Sequence, residues 1–378
     1  MRKIMAFFLA SVLFLDMVSV GVILYSRAKE LSRQGEDDVY ARATVAAMGN
    51  NLISDEMNRQ AFERSSGEGY DYKFFYEGIS DEIADKDIAL LTLESVMSSD
   101  HEVTGGSLLN APDELADTLT MLGVNVVNLA SPHVLDYGEK GLENTLACWA
   151  KKNVSAIGAY KKSKDGLKPV IRNVNGIKIG FVGYTEKAEG LSGSSKFGIM
   201  NSQAETAVRD LITETKAKSD VVIVYANWGE EFSAEITEKQ RESAQKLSDW
   251  GADVVIGTFP RVIQPIEYIV REDGTKTLVA YSLGNLISTG GSPESLLGGI
   301  LEFDIVRKTS KSQAEIKNIR IKGVITHYGE NMTKIRSYML SDYSETLASG
   351  HALYGETEWN DQWLNATFEK TFAGEFRG

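Results

Sequence analysis

The sequence predicts an α/β fold preceded by one N-terminal transmembrane helix. From about residue 42 onward, short apolar runs alternate with segments of helical periodicity, a pattern typical of strands connected by helices. A single long apolar run occupies residues 5–25. With 378 residues, of which 43% are hydrophobic and 25% charged, the chain is long enough for one large domain or two small ones.

The apolar run MAFFLASVLFLDMVSVGVILY, at residues 5–25, predicts a membrane-spanning helix. A helix of this length, at about 1.5 Å rise per residue, matches a hydrocarbon core of about 30 Å. A cleaved signal peptide is the alternative, because Ser26-Arg27-Ala28 resembles a cleavage site. The apolar part of such peptides usually has only about 7–15 residues. We therefore expect an uncleaved single-pass anchor in the cell membrane, with the rest of the chain extracellular.

Asp16 lies near the middle of the predicted anchor. A carboxyl group at bilayer depth costs roughly 2.5–3.5 kcal/mol, and such residues usually face a partner helix or a polar cavity. Two interpretations stay open. Asp16 either contacts a membrane-embedded partner protein or is tolerated because its apolar neighbours offset the cost.

Local patterns predict the strands and helices. The predicted strands are residues 42–48, 87–94, 124–130, 177–184, 220–227 and 252–257. The predicted helices cover residues 112–122 and 139–152, with further helices beginning in capping boxes at Ser202/Glu205 and Thr237/Gln240. Asn175-Gly176 and Asp273-Gly274 predict hairpin turns. After residue 295 the pattern is β-rich and predicts strands that close a second sheet.

Charge and cysteine content exclude several functional classes. The net charge is −13 and no run of Lys or Arg is present, which argues against a nucleic-acid partner because phosphate binding needs a basic surface. Cys148 is the only cysteine, so an internal disulfide framework and a cysteine-based zinc site are excluded.

Three predicted strands end in loops that carry polar residues. We expect these loops to converge at one edge of the sheet, where α/β proteins commonly form a pocket. The last loop, GTFPR, offers no base, nucleophile or metal ligand. The polar loop residues are Ser131, His133, Asn227, Glu231, Thr258 and Arg261.

Five sequence blocks, in order, resemble the CapA family of bacterial poly-γ-glutamate capsule synthesis proteins. They are VNVVNLASPHVLDYGEKGLENTL, VNGIKIGFVGYTE, ANWGEEF, QRESAQKLSDWGADVVIGTFPRVIQPIE and LVAYSLGNLI, and the resemblance runs from about residue 42 to 290. It implies a metallophosphoesterase-like sandwich of two mixed β-sheets flanked by helices, and it is consistent with a membrane anchor. The expected division is an anchor at 1–30, a CapA-like domain at 31–330 and a C-terminal packing tail at 331–378.

The sequence departs from the family pattern at most of the positions that the resemblance assigns to a pocket. Asn50 replaces an aspartate, Asn227 and Thr258 replace histidines, and Arg261 replaces another histidine, while Ser131 stands in place of an amide. The family's glutamates, one histidine and one asparagine are retained as Glu94, Glu231, His133 and Asn285.

These changes remove most of the expected metal ligands. A divalent ion that activates water needs several carboxylate or imidazole groups around one point, and the guanidinium of Arg261 cannot act as a ligand. We expect no cofactor; the alternative is a weakly bound Mg²⁺ or Mn²⁺ held by Glu94, His133 and Glu231. If activity persisted, His133 would be the general acid, as its place in the motif implies.

Two roles for Arg261 stay open at this point. It either forms a structural ion pair with Glu231 or Glu94, or it contacts a carboxylate or phosphate of a ligand.

Three functions are compatible with these features. The first is a non-enzymatic accessory protein for poly-γ-glutamate synthesis or export, which contacts the anionic polymer and, through Asp16, a membrane-embedded synthase. The second is a metal-dependent hydrolase of a phosphoester or polymer amide bond. The third is a cell-envelope binding module unrelated to this polymer.

Overall fold

A computed structural model describes residues 39–162, 167–188, 194–355 and 358–377. The predicted anchor at residues 5–25, and Asp16 within it, lie outside the described residues. Within the described residues, every helix is too short or too polar to cross a membrane.

Two mixed β-sheets form the centre of the molecule. In spatial order, the first sheet contains β19 (Thr333–Met339), β18 (Glu315–Gly329), β17 (Leu297–Arg307), β1 (Ala41–Asn51), β2 (Ile88–Leu93), β6 (Val126–Asn128) and β7 (Ser155–Ile157), with β16 (Asn285–Ile287) also paired to β1. The second contains β14 (Ile263–Val270), β15 (Lys276–Leu283), β13 (Val254–Thr258), β12 (Val221–Asn227), β10 (Ile177–Thr185) and β9 (Val170–Val174).

Two small sheets accompany them: β8 (Ala159–Lys161) with β11 (Phe197–Ile199), and β3 (Val96–Met97) with β5 (Leu109–Ala111) and β4 (Thr104–Gly105). The helices of the described residues are α1 (Asp55–Arg64), α2 (Asp113–Met121), α3 (Gly138–Lys151), α4 (Glu205–Lys218), α5 (Glu238–Asp249), α6 (Glu345–Ala348) and α7 (Asp361–Thr371). The predicted α/β class, with mixed sheets flanked by helices, is therefore confirmed.

The central strands of the second sheet are buried on both faces, which explains their near-continuous apolar runs. In β12, Ile223 and Tyr225 face the core between the two sheets, whereas Val222 and Val224 face a second apolar cluster that includes residues of α4 and α5. The Tyr225 hydroxyl links the sheets, because it lies 3.0 Å from the Met48 backbone nitrogen and 2.9 Å from the Leu90 carbonyl oxygen. Burial raises the pKa of Tyr225 well above its usual value.

All six predicted strands are present, and both hairpin turns are confirmed. Asn175 and Gly176 both have positive φ (52° and 85°), which is the two-residue turn that matches the twist of a hairpin. Thr237 and Gln240 form the predicted capping box at the start of α5.

The predicted capping box at Ser202 is wrong. Residues 202–204 form a 3₁₀ turn and α4 begins at Glu205, with no side-chain cap. Glu205 is therefore the first helical residue rather than the third, so Ser202 cannot cap the helix.

The sequence predicts that the strands after residue 295 close a second sheet. This prediction is wrong, because these strands extend the first sheet. β17 runs antiparallel to β1, with Arg307 opposite Ala41 and Ile300 opposite Met48. The segment predicted as a C-terminal tail begins in the same sheet, because β19 pairs with β18. Farther along, Trp359 and Phe372 are buried in the core.

Candidate functional site

The candidate site lies where strands of both sheets end. Asn50 lies near the end of β1, Glu94 directly follows β2, and Asn227 and Thr258 are the last residues of β12 and β13. The sequence predicts that the polar loops converge at one edge of a single sheet, and this prediction is wrong. The polar residues come from two facing sheets, so they approach each other across the core rather than along an edge.

Arg261 connects the two sheets at this site. Its Nη2 donates to Glu94 Oε2 at 3.2 Å and its Nε donates to Glu231 Oε1. The side chains of Arg261 and Glu94 are 8% and 0% exposed, whereas that of Glu231 is 43% exposed. Burial opposes the charge of Arg261, but both carboxylates outweigh it and raise the pKa of the guanidinium. Arg261 is therefore a fixed positive charge between two carboxylates, one of them fully buried.

Asn50 lies beside Glu94 and Asn285, its partner in the pairing of β1 with β16. In one amide orientation it donates to Asn285 Oδ1 at 3.4 Å. In the opposite orientation its nitrogen donates to Glu94 Oε1 at 3.1 Å and its oxygen accepts from the Phe259 backbone N–H at 3.3 Å. The second orientation satisfies both ends of the amide, so Asn50 supplies Glu94 with a donor that an aspartate could not provide.

Three further positions are hydrogen-bonded to neighbouring polar groups. Thr258 Oγ1 lies 3.1 Å from Thr92 Oγ1, and the Asn128 amide donates to Thr92 Oγ1 at 3.1 Å. Asn227 Oδ1 accepts from the Thr185 hydroxyl at 3.1 Å. Asn285 donates to the Ser295 carbonyl at 2.9 Å. These side chains form a buried polar layer in which each position is hydrogen-bonded to a neighbouring strand or loop.

Three of these partners were not assigned to the site from the sequence: Thr92, Asn128 and Thr185. Each is a buried polar residue in or at the end of a mainly apolar strand, and that polarity is the signal that could have identified them.

Three buried polar atoms of the candidate site have no hydrogen-bond partner within the described part of the chain. They are Ser131 Oγ, Asn227 Nδ2 and Arg261 Nη1. Such atoms normally find a partner, so protein groups alone do not satisfy every polar atom of this site.

His133 lies at the edge of the site and is 23% exposed. Its Nδ1 is 2.8 Å from Asp136 Oδ2, and its Nε2 is 3.9 Å from Glu94 Oε2. Burial alone would lower the pKa of His133, but the hydrogen bond to Asp136 and the charge of Glu94 outweigh it and raise the pKa. The imidazole is thus held in place by one carboxylate and approaches another.

The loops around the site adopt strained backbone conformations. Phe259, Arg261 and Phe232 all have positive φ, at 92°, 62° and 61°. The Phe232 N–H donates to the Pro260 carbonyl at 2.8 Å, which ties the two loops together. Such conformations cost on the order of 1–3 kcal/mol each and persist only where the surroundings impose them.

A small cavity of about 260 Å³ opens beside Arg261. His133, Glu231 and Phe232 also line it, together with the glycine pair at 290–291. We call it the remnant pocket, defined by His133, Glu231, Phe232 and Arg261.

The residues of the remnant pocket do not fit a divalent metal. No group of three or more His, Cys, Asp or Glu side chains within the described residues could hold one. The guanidinium of Arg261 lies within hydrogen-bond distance of Glu94 and Glu231, the two carboxylates that would be ligands. A fixed positive charge at that position repels a cation and uses the oxygen atoms that would bind it.

Comparisons with known proteins give the family. The sequence model "Bacterial capsule synthesis protein PGA_cap" matches residues 44–290. The PGA biosynthesis protein CapA of Bacillus subtilis is 29% identical over 216 residues, which cover 56% of this chain and 55% of that protein. The capsule biosynthesis protein CapA of Bacillus anthracis is 29% identical over 202 residues, covering 52% and 48%. The chain thus spans about half the length of the curated relatives it matches.

A hypothetical protein of known structure from Thermus thermophilus aligns with 78% of this chain and 98% of its own length, at 16% identity and a TM-score of 0.39. That score is too low to support an argument. The family match covers well over half of the chain, and it includes the strand ends that carry the remnant pocket. This chain therefore belongs to the bacterial capsule synthesis protein family PGA_cap.

Proposed function

We propose that this chain is a membrane-anchored accessory protein that supports the synthesis or export of poly-γ-glutamate outside the cell, and that it is catalytically degenerate. Family membership and the printed names of the Bacillus relatives support the role in capsule synthesis. The apolar run at residues 5–25 supports the anchor. The two packed mixed sheets, with polar residues at their strand ends, support a metallophosphoesterase-like sandwich.

The position of Arg261 is the observation that most directly supports the proposed catalytic degeneracy. Two carboxylates in a partly buried site raise each other's pKa unless a cation compensates them. Arg261 supplies that cation from within the chain, since it binds both Glu94 and Glu231. The guanidinium cannot activate water as a Lewis acid. Arg261 therefore restores one positive charge beside the two carboxylates without a metal.

Asn50 and Thr258 are consistent with the same conclusion. Each makes hydrogen bonds to protein groups where the family resemblance places a ligand, so neither side chain is held open for an ion. A histidine remains, as His133, but without a metal-bound water it has no activated nucleophile to assist. Under this proposal the chain acts by binding, next to a membrane-embedded synthase that Asp16 contacts.

Metal analysis of the full-length, detergent-solubilised protein tests catalytic degeneracy. After incubation with Mn²⁺, Mg²⁺ or Zn²⁺ and removal of free ions, we expect well below one metal per chain and no phosphoester hydrolysis. A variant carrying Asn50→Asp, Asn227→His, Thr258→His and Arg261→His restores the family's aspartate and three histidines and should bind metal, which controls for the sensitivity of the measurement. Stoichiometric metal with chelator-sensitive turnover in the unmodified protein would establish the hydrolase instead.

Deletion of the gene tests the role in capsule synthesis. A strain without the gene should release or display much less poly-γ-glutamate, and the unmodified gene should restore it. Normal polymer in the deletion strain would eliminate the accessory role.

A further inference from the structure

A second, larger cleft lies at the opposite end of the second sheet from the remnant pocket. It has a volume of about 860 Å³ and includes Val221, the first residue of β12, and Asp253, which directly precedes β13. The remnant pocket lies beyond the other ends of these strands, at Asn227 and Thr258. Since β12 has seven residues at about 3.3 Å each, the two sites are roughly 20 Å apart.

The lining of this cleft differs in charge from the rest of the chain. Acidic residues outnumber basic residues by 53 to 40 in the whole sequence. In the cleft, basic residues outnumber acidic ones, with four carboxylates lining it. The basic residues are Lys216, Arg271, Lys276, Arg307, Lys311 and Lys317. We call this region the cationic cleft, defined by these six residues.

The carboxylates of the cleft are already engaged by protein groups. Asp253 binds Lys216 at 2.7 Å and accepts the Val222 N–H at 2.8 Å. Asp220 is paired with Arg307 and accepts the Lys178 N–H.

The other two carboxylates are engaged in the same way. Asp273 accepts from the N–H and hydroxyl of Thr275 within its own turn, at 2.9 and 2.6 Å. Glu315 is paired with Lys317 at 2.7 Å and with Lys308 at 3.5 Å. The acidic groups of the cleft are therefore committed to protein partners.

Two lysines of the cleft have no carboxylate partner within the described part of the chain. Lys276 and Lys311 are both exposed, and neither forms an ion pair with a described residue. Lys276 Nζ lies 5.3 Å from the centre of the Tyr268 ring, and that ring is 41% exposed in the same cleft. The cleft thus combines two ammonium groups that no described carboxylate neutralises with a partly exposed aromatic ring, which also contacts Phe376.

We propose that the cationic cleft binds a carboxylate polymer in an extended form. This rests on the proposed function, and it names the surface of the chain that contacts poly-γ-glutamate. Carboxylates of the polymer would pair with Lys276 and Lys311, and its methylene groups would lie against the Tyr268 ring. A chain with net charge −13 repels a polyanion at long range, so contact is favoured where positive charge is concentrated.

The point at which the chain enters the fold places this cleft near the predicted anchor. Ala41, the first residue of β1, is paired with Arg307, which lines the cleft. The described part of the chain therefore begins at the end of the fold that carries the cationic cleft. If the predicted anchor holds this end near the membrane, a polymer emerging from a membrane-embedded synthase meets the cleft before it meets the remnant pocket.

Binding of fluorescently labelled poly-γ-glutamate to the full-length, detergent-solubilised protein tests the proposal. At low salt, we expect K276E/K311E to bind at least about fivefold more weakly than the unmodified protein, because attraction is replaced by repulsion at both positions. The matched control K73E/K151E makes the same change in net charge at two exposed lysines outside the cleft. We expect it to bind within about twofold of the unmodified protein, and both variants to keep the melting temperature.

Three results would overturn the proposal: no polymer binding by the unmodified protein, unchanged binding by K276E/K311E, or equal weakening by both variants. Vesicles that contain an anionic lipid supply a further comparison. If K276E/K311E lost vesicle binding but kept polymer binding, the cleft would be a lipid site and the proposal would be wrong. Polymer production by the deletion strain is independent of these results, so failure of the cleft and failure of the accessory role can be distinguished.

Discussion

The remnant pocket and the cationic cleft lie at opposite ends of the same sheet and use positive charge in opposite ways. In the remnant pocket, Arg261 is 8% exposed and binds both Glu94 and Glu231. In the cationic cleft, Lys276 and Lys311 are exposed and have no carboxylate partner within the described residues.

The difference follows from the cost of removing a charge from water. A buried ion is tolerated only when its hydrogen bonds and its charge are satisfied inside the protein. Arg261 meets most of this requirement through Glu94 and Glu231, which engage its Nη2 and Nε, so its charge is largely paired within the protein. An exposed lysine has no such requirement and can exchange water for a carboxylate of a solute. The exposed fraction of the side chain therefore distinguishes Arg261, whose charge is paired within the fold, from Lys276 and Lys311, whose charges can bind a polymer.

Replacement of Arg261 gives the largest expected effect. Arg261→Met leaves Glu94 buried without its cation, which should reduce the free energy of unfolding by about 3–5 kcal/mol. Thermal or denaturant unfolding of the full-length protein measures this change. Adding Glu94→Gln to the variant should recover part of the loss, because the uncompensated charge is removed.

Glu231→Gln is the matched control for this effect. The Glu231 side chain is 43% exposed and its pair with Arg261 is open to solvent, so the cost should be below about 1 kcal/mol. Polymer binding should be unchanged in all of these variants. An Arg261→Met protein of normal stability and weaker polymer binding would show that Arg261 contacts the ligand. The remnant pocket, rather than the cationic cleft, would then bind the polymer.

The dependence on salt concentration should distinguish the cationic cleft from the remnant pocket in a single protein preparation. Binding of poly-γ-glutamate should weaken several-fold between about 50 and 200 mM NaCl, because exposed charges are screened over about 10 Å at 0.1 M. The stability difference between the unmodified protein and Arg261→Met should change little over the same range, since buried pairs are screened much less. Salt-independent polymer binding would contradict the assignment to exposed lysines.

The smallest expected effect is the pH dependence contributed by His133. Burial lowers the pKa of His133, but Asp136 and Glu94 raise it to a net value above the usual one. A raised pKa in the folded state means that protonation stabilises the fold below the unfolded value of about 6.5, and that this stability is lost as the pH rises through the folded value.

His133→Asn should therefore be less stable than the unmodified protein at pH 5.5, by less than about 1 kcal/mol, with a smaller difference at pH 8. Unfolding curves at the two pH values measure it. Asp136→Asn removes the main partner of the imidazole and should flatten the same dependence. A difference that grew with pH would mean that the imidazole is destabilised by its surroundings.

Much of the fold could be predicted because its signals are local. Apolar runs identified three strands of each main sheet, Asn175-Gly176 identified a hairpin turn, and Thr237 with Gln240 identified the start of α5. Ser202 shows the limit of this approach, since a serine three residues before a glutamate can precede a helix without capping it.

The candidate site was partly predictable for a different reason. The family resemblance identified Arg261, Glu94 and Glu231 as site positions. The replacement of most expected metal-ligand residues argued against a bound metal. The residues that bind Thr258 and Asn227, namely Thr92 and Thr185, were not found because each belongs to a strand distant in sequence.

The sequence by itself determined the α/β class, the order of the strands along the chain, the family and the loss of metal-ligand types. These depend on residue identity and short-range periodicity. Only the tertiary structure decided that β17 and β18 extend the sheet of β1, that Arg261 binds Glu94 and Glu231 together, and that dispersed lysines and arginines form one cleft. Pairing between strands and proximity between charges are set by packing across the core, where residues 30 to 167 positions apart become neighbours, and no local pattern records which of them will meet.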